Sequence, residues 1–400
     1  VKEKKVPVPP RVALVVETST QFGRTLLAGV AQFVRENGPW SVMFTDRAVN
    51  DQPPSWLEDW SGDGIITRVP SPAIRPFLVR KKTSIVDLNE QTADLGFPQI
   101  SNDHVAIASM AAAHLLERGF RNFAFAGHPG HHWSDQRERT FTSLTAIQGY
   151  PCSVYAGPEL QVQDLREGMW NTELDDLTRW VAALPKPIGI MASTDFRGLQ
   201  VLTACRMAGV SVPEEAAVVG VGDDDIACAL ADPPLSSVVL NAWQMGYRAA
   251  SLLQRMMQGE KVPKGYAQKV PPLEVTLRRS TDGVAVHDPL VAKAIRFMRA
   301  NAVRGIQVTD VLAHMEISRT TLQERFRHEL GKSVHEMIVE IRLGRIRELL
   351  IETEIPLRDV ATLCGFLHPE YMHDMMRKRT GWTPGQYRQE FGILNSKRHR

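Results

Sequence analysis

One apolar pattern occurs twice in the C-terminal part of this chain, and a repeat of that kind leaves few folds open. The first copy runs from Asp310 to Phe326 and closes at Gly331; the second runs from Asp359 to Met376 and closes at Gly381. Val311 pairs with Val360 and Ile317 with Phe366, both 49 apart, whereas Leu322 pairs with Met372, Phe326 with Met376 and Gly331 with Gly381, all 50 apart. One extra residue in the second turn accounts for the change. Apolar positions are kept while polar ones vary, which predicts two similar helical units. Each has the layout of a helix, a turn and a second helix, and two such units on one rigid body can enter successive major grooves of a duplex. The pattern points to DNA binding.

Composition sets the frame around that repeat. A chain of 400 residues has room for two or three domains, each with its own core. The net charge of +2 is unevenly placed: residues 287–400 hold 19 Lys+Arg and 14 Asp+Glu, leaving 28 and 31 for the first 286 residues. A basic C-terminal module on a slightly acidic body fits a phosphate-binding footprint at one end, although an excess this small is also compatible with an ordinary soluble surface. Cys152, Cys205, Cys228 and Cys364 show no CxxC or Cys/His spacing and read as reduced, buried thiols. The first ten residues are charged and lack an apolar signal-peptide core, and no apolar run approaches 18 residues. A cytoplasmic protein without a membrane segment is expected.

From about Arg11 to Leu277 short apolar runs alternate with amphipathic stretches. Strands are predicted at Val12–Val16, Gly64–Thr67, Thr83–Asp87, Asn122–Ala126, Ile188–Ala192 and Ala217–Gly222, and helices at Thr25–Glu36, Val105–Arg118, Leu174–Ala183 and Gly198–Ala208. Such βαβα alternation predicts an α/β region with mostly parallel sheets and helices on both faces. Near Arg278 the strand pattern stops, and Asp288-Pro289 makes a good helix start. The domain layout read from these signals is an N-terminal arm (1–10), an α/β body (11–277), a polar linker (278–288), an all-helical module (289–391) and a basic tail (392–400).

The helical module resembles the AraC/XylS family of transcription regulators. The resemblance rests on Ile317-Ser318, Leu322, Phe326 and Gly331-Lys-Ser-Val334 in the first unit. In the second it rests on Val360-Ala361, Gly365-Phe366 and Gly381-Trp-Thr-Pro-Gly-Gln-Tyr-Arg388. Glu316 departs from it, standing where the family's first turn usually has glycine, and Met372 and Met376 stand where aromatics are expected. The body is similar to the two-lobed periplasmic-binding-protein and LacI type of effector domain. Here the supporting residues are Val15-Val-Glu-Thr-Ser19, Gly23-Arg24, Asn102-Asp103, Arg137, Ala192-Ser-Thr-Asp195, Val218 to Asp223, Asp232 to Ser237, Gln244 to Gly246 and Pro271-Pro272. In this combination the chain resembles the xylose operon regulators over nearly its whole length.

The DNA-binding expectation then falls on particular residues. In the first unit Ser318 is a candidate N-cap, leaving Arg319, Thr320, Gln323 and Glu324 to face the duplex while Leu322 and Phe326 turn into the core. Arg suits guanine or phosphate, Gln suits adenine and Glu accepts from a cytosine amine. In the second unit the matching positions are His368, Glu370, His373 and Asp374, with Arg377, Lys378 and Arg379 behind them as phosphate anchors. The alternative for each is a solvated helix face.

For the body, the resemblance implies a small polar ligand held between two lobes by residues at strand ends. Glu17, Ser19, Arg24, Asp103, Trp133, Arg137, Asp195 and Asp223 are the candidates. Carboxylates accept from hydroxyl pairs and arginine donates, which suits a sugar, with a pentose such as xylose as the first choice. Trp133 or Trp243 is placed to stack on an apolar sugar face. The plainer alternatives are helix caps for Asp103 and Arg24 and core positions for the tryptophans. At Gly222 the family commonly has an effector-binding Asp, and Asp223 follows one residue later.

His128, His131 and His132 lack a further ligand at matching spacing and read as a polar turn, so no metal is expected. Nor is a cofactor: there is no GxGxxG after the first strand, no P-loop, no GxSxG and no HExxH. The expected partners are a double-stranded DNA operator, a small-molecule effector of the sugar class, RNA polymerase and a second copy of the chain. The other readings are an α/β enzyme tethered to DNA and a regulator that has lost its effector.

Overall fold

Parallel strands need helical cover on both faces, and the helices between the strand runs supply it. The computed structural model describes residues 8–49, 51–69, 72–90, 96–155, 157, 167–302 and 305–391. Residues 1–7 of the expected N-terminal arm and the expected basic tail, 392–400, lie outside the described residues. The chain separates into two compact units, Val1–Ala285 and Val286–Arg400.

The first unit holds two six-stranded sheets. One contains β1 (Arg11–Val15), β2 (Ser41–Phe44), β3 (Gly64–Thr67), β4 (Ser84–Asp87), β5 (Gln99–Asn102) and β11 (Ala267–Val270), in the order β11-β5-β4-β3-β1-β2, all parallel. The other contains β6 (Asn122–Ala126), β7 (Cys152–Tyr155), β8 (Ile188–Ala192), β9 (Ala216–Val221), β10 (Ser236–Val238) and β12 (Val275–Thr276), in the order β12-β10-β9-β8-β6-β7. Within it only β12 runs antiparallel to its neighbour. The helices are α1 (Gln21–Asn37), α2 (Arg75–Val79), α3 (His104–Glu117), α4 (His132–Ile147), α5 (Glu167–Ala183), α6 (Asp195–Met207), α7 (Asp225–Leu230) and α8 (Ala242–Met257).

The six predicted strands are present within a residue at each end. Six more were not predicted because they are short, polar or exposed: β2 is largely solvent-facing, and β10 is two serines and a valine. The chain passes between the lobes three times, between β5 and α3, between β10 and α8, and between β11 and β12. Helix α3 packs on the second sheet with Phe123 and Phe125, and α8 returns to pack on the first with Val12 and Ile66.

Residues 278–285 were expected as part of a linker, but they pack onto the first unit. Ser280 and Thr281 are fully buried. Ser280 Oγ donates to the Val218 carbonyl at 2.6 Å, Thr281 Oγ1 lies 2.8 Å from His114 Nε2, and the Ala285 amide donates to the Arg118 carbonyl. Polar residues read as a connector because sequence pattern cannot show that buried partners await them.

The second unit is helical: α9 (Pro289–Asn301), α10 (Val308–Met315), α11 (Arg319–Leu330), α12 (Val334–Glu352), α13 (Leu357–Leu363), α14 (Pro369–Thr380) and α15 (Pro384–Phe391). Two cores form. Val311, Leu322 and Phe326 pack with Val334, Ile338 and Ile341, whereas Val360, Met372 and Met376 pack with Leu343, Ile346 and Leu350. Helix α12 serves both. Among the described residues no helix is long and apolar enough to cross a membrane.

Two glycines let α1 and α8 approach closely. A Cβ at Gly246 would sit 1.9 Å from the Leu26 carbonyl oxygen, and one at Gly29 would sit 2.0 Å from that of Trp243. Backbone cannot yield as a side chain can, so Gly246→Ala is expected to lower stability by about 3 kcal/mol through overpacking. Urea unfolding of the full-length chain measures this, and a loss well below about 1 kcal/mol would show that the two helices part freely.

Candidate functional site

In a parallel sheet all strands end on one edge, so the loops that follow them gather side chains in one place. Both sheets of the first unit turn that edge toward a shared cavity of about 220 Å³. The first lobe contributes Glu17, Thr20, Gln21 and Phe22 after β1, Arg68 after β3, Asn89 and Glu90 after β4, and Asn102 at the end of β5. The second contributes Trp133 and Arg137 from α4, Thr194, Asp195 and Phe196 after β8, and Val221, Gly222 and Asp224 at and after the end of β9.

Four of the eight expected effector residues therefore line the cavity: Glu17, Trp133, Arg137 and Asp195. The other four lie outside it. Ser19 is exposed in the turn before α1. Arg24 donates to the Thr18 carbonyl at 2.7 Å. Asp103 caps α3 by accepting from the Ala106 amide at 3.0 Å. Asp223, in a left-handed conformation at φ 57°, pairs with Arg278 at 2.7 Å and accepts from Thr276 at 3.1 Å. Trp243 lies on α8 stacked against Tyr247, outside the cavity. Arg68, Glu90, Phe22 and Asp224 were missed, although Arg68 directly follows its strand and the strand-end rule could have flagged it.

Gly222 explains why its neighbours are arranged as they are. It sits at φ 133°, and a Cβ there would lie 2.8 Å from Asp195 Oδ2. The missing side chain leaves room for Asp195, whose Oδ2 accepts from the Asp224 amide at 2.7 Å and whose Oδ1 accepts from Ser237 Oγ. Burial pushes the Asp195 carboxyl up to about 6 in spite of these bonds, and lowers Arg137 to about 10.

Three buried polar atoms of lining residues have no protein partner: Glu17 Oε2, Asn102 Oδ1 and Arg68 Nε. Glu17 Oε1 is engaged by Arg68 and by Thr20 Oγ1 at 3.1 Å, and Asn102 donates through its amide and Nδ2 to Glu90. The Arg68 guanidinium lies 4.6 Å above the Phe22 ring and that of Arg137 lies 5.2 Å from the Trp133 ring. The wall thus offers acceptors and donors with apolar faces between them. His128 Nδ1 lies 2.9 Å from Ser193 Oγ, and His131 stacks on Trp133.

In the second unit each repeat presents its second helix. Ser318 caps α11, accepting from the Thr321 amide at 3.1 Å; Arg319, Thr320 and Glu324 are exposed and Gln323 is half-buried. His368 just before α14 is exposed, as are Glu370, Asp374, Arg377, Lys378 and Arg379 on it, and His373 is half-buried. Leu322, Phe326, Met372 and Met376 are fully buried. Two residues that the sequence reading passed over stand out on the second unit: Leu367 is 94% exposed and Tyr371 66% exposed. The opposite side of α11 is tied down, since Arg325 pairs with Asp288 at 2.7 Å and Glu329 accepts from the amides of His287 and Asp288. The two turns differ at one equivalent position, where Glu316 has φ 53° and Gly365 has φ 77°.

Comparisons with known proteins agree with this geometry. Residues 112–281 match the periplasmic binding protein-like domain family, and residues 311–390 match a helix-turn-helix domain family. Over 386 residues the chain is 32% identical to the xylose operon regulatory protein of Haemophilus influenzae, covering 94% of this chain and 98% of that protein. The chain belongs to the XylR-like family of AraC-type transcription regulators. The xylose operon regulatory protein of Escherichia coli K12 is likewise 32% identical over 388 residues, covering 94% and 96%. The solved structure of a xylose-binding transcription activator, XylR, is similar with a TM-score of 0.81 at 30% identity, covering 96% of this chain and 99% of that one. As a XylR-like regulator the chain is a DNA-binding protein with a ligand domain, and not an enzyme.

Two outcomes follow from these environments. Folded Asp195 keeps its proton up to about pH 6, whereas an unfolded Asp releases it near ~3.9. Between those values the native state binds more protons, so this group makes stability fall as pH rises from about 4 to about 6, by about 3 kcal/mol in all. Thermal unfolding across that window should flatten in Asp195→Asn; an unchanged slope would place the transition on another group. Glu316→Gly should raise stability by about 1 kcal/mol by relieving the left-handed backbone. Gly365→Ala should lower it, because the added methyl would lie 2.8 Å from the Ala302 carbonyl oxygen. Chemical denaturation of both variants tests the pair.

Proposed function

We propose that the cleft binds a small neutral sugar, with a pentose such as xylose as the first candidate, and that binding closes the two lobes and changes how the paired helix-turn-helix units engage an operator. The observation that carries this reading is the set of buried, unpartnered atoms on the cavity wall, Glu17 Oε2, Asn102 Oδ1 and Arg68 Nε. Buried polar groups are almost always satisfied, and a ligand with several hydroxyls donates to the first two and accepts from the third.

Charge narrows the class further. Four carboxylates, Glu17, Glu90, Asp195 and Asp224, line the cavity against two guanidinium groups, Arg68 and Arg137. An aldonic or uronic acid would add a negative charge to a wall already rich in them, so neutral sugars are favoured over sugar acids. Phe22, Trp133 and Phe196 supply apolar faces for the C–H side of a sugar ring. The names of the relatives, xylose operon regulatory proteins and a xylose-binding activator, support xylose as the first ligand to try and activation, with RNA polymerase as a partner, as the output. A homodimer formed through the first unit is part of the same proposal.

Because ligand and DNA affinities are linked, a sugar that changes operator binding must bind the two lobe arrangements unequally. The test is thermal unfolding of the full-length protein with a panel of pentoses, hexoses and sugar acids. A selective rise with a neutral sugar is expected, together with a loss of affinity of about tenfold or more in Glu17→Gln by calorimetry. A rise confined to sugar acids would overturn the charge argument, and no rise with any member would overturn the sugar reading.

A further inference from the structure

His104 does not line the cavity, yet it touches two residues that do. It is the first residue of α3, placed immediately after the first crossing between lobes, and is 4% exposed. Its Nδ1 lies 3.3 Å from Arg137 Nε in the second lobe, and its Nε2 lies 3.8 Å from Glu90 Oε1 in the first. Glu90 is held in turn by the amide and side chain of Asn102. Three wall residues, Glu90, Asn102 and Arg137, thus belong to one network whose hub is a buried ring behind the wall.

We propose that His104 is a positioning residue that aims Arg137 and Glu90 at the ligand, and that it does so as a neutral ring carrying its proton on Nε2. An arginine Nε–H can only donate, so Nδ1 must present its lone pair to it. A carboxylate can only accept, so the proton belongs on the nitrogen that faces Glu90. A charged ring would set an N–H against the Arg137 N–H at a desolvated position and free the guanidinium. The titratable groups around the ring are Glu90 from the loop after β4, Arg137 and His132 from α4, and Lys269 from β11. Burial, with Arg137, His132 and Lys269 adding to it and Glu90 opposing, lowers the ring to about 4. The neutral form therefore prevails at neutral pH. The proposal rests on the cleft being the ligand site, but its geometric half is measurable without any ligand.

Full-length protein labelled with nitrogen-15 at His and Arg allows both halves to be read. In the free protein at pH 7, His104 should show the nitrogen shifts of the neutral Nε2–H tautomer, and the Arg137 Nε–H should exchange slowly with solvent. His104→Asn places a carbonyl oxygen where Nδ1 stood and should keep that slow exchange. His104→Gln carries its polar atoms at the Nε2 position and should lose it, as should His104→Leu. A role limited to filling space would not separate Asn from Gln. With D-xylose as the probe, Kd should weaken about tenfold in the Gln and Leu variants and less than about threefold in the Asn variant. An imidazolium or an Nδ1–H tautomer at pH 7, or equal Arg137 exchange in all three variants, would overturn the proposal. If Leu does not fold, the wild-type tautomer and the Asn and Gln pair still decide it. If D-xylose binds none of the proteins, the sugar reading loses its first candidate while the exchange data still decide the role of His104.

Discussion

Everything at the ligand end of this molecule depends on the two sheets turning their strand carboxyl ends toward the same gap. Parallel strands cannot be joined by tight hairpins, so each is followed by a loop and a helix, and every such loop opens at the same edge. Glu17, Arg68, Glu90, Asp195 and Asp224 come from separate places in the chain and reach one cavity for this reason. The three crossings between the lobes hold those edges opposite one another, and the first crossing sets Asn102 and His104 beside the cavity.

Charge in the cleft is managed mainly by hydrogen bonding. Asp195 accepts from Ser237 and from the Asp224 amide, Glu17 from Arg68 and Thr20, and Glu90 from Asn102. Buried carboxylates persist when their acceptor capacity is largely filled, and Glu17 Oε2 is a portion left open here. Gly222 belongs to the same arrangement: the side chain it lacks leaves room for Asp195. Asp195, just after β8, brings its carboxyl to the cavity wall.

In the helical unit the corresponding constraint is α12. A helix of 19 residues spans about 28 Å, and its two halves pack into different cores, each built around one recognition helix. One continuous helix thus joins the core around α11 to the core around α14. Asp288, Arg325 and Glu329 tie the start of α9 to α11, and Arg319, Thr320 and Glu324 stay exposed on the other side of α11.

Much of this architecture could be read from residue order. The repeat of Val311, Leu322 and Phe326 in Val360, Met372 and Met376 marked both helical units, because apolar spacing reports local helical packing directly. The buried strands from Val12 to Val221 were legible for the same reason: a run of apolar residues bounded by turns has few other fates. What only the tertiary structure decided were the contacts between distant segments. Asp223 had the right chemistry for a ligand, yet Arg278, far along the chain, pairs with it, whereas Arg24 and Asp103 are held by near neighbours in sequence and Ser19 faces solvent. Arg68 and Glu90 carried no motif and reached the cavity wall through sheet order alone. Polar residues 278–285 looked like a linker until buried partners absorbed them. Periodicity is local and survives in a one-dimensional string, whereas hydrogen-bond partners some tens or hundreds of residues apart exist only once the lobes have formed.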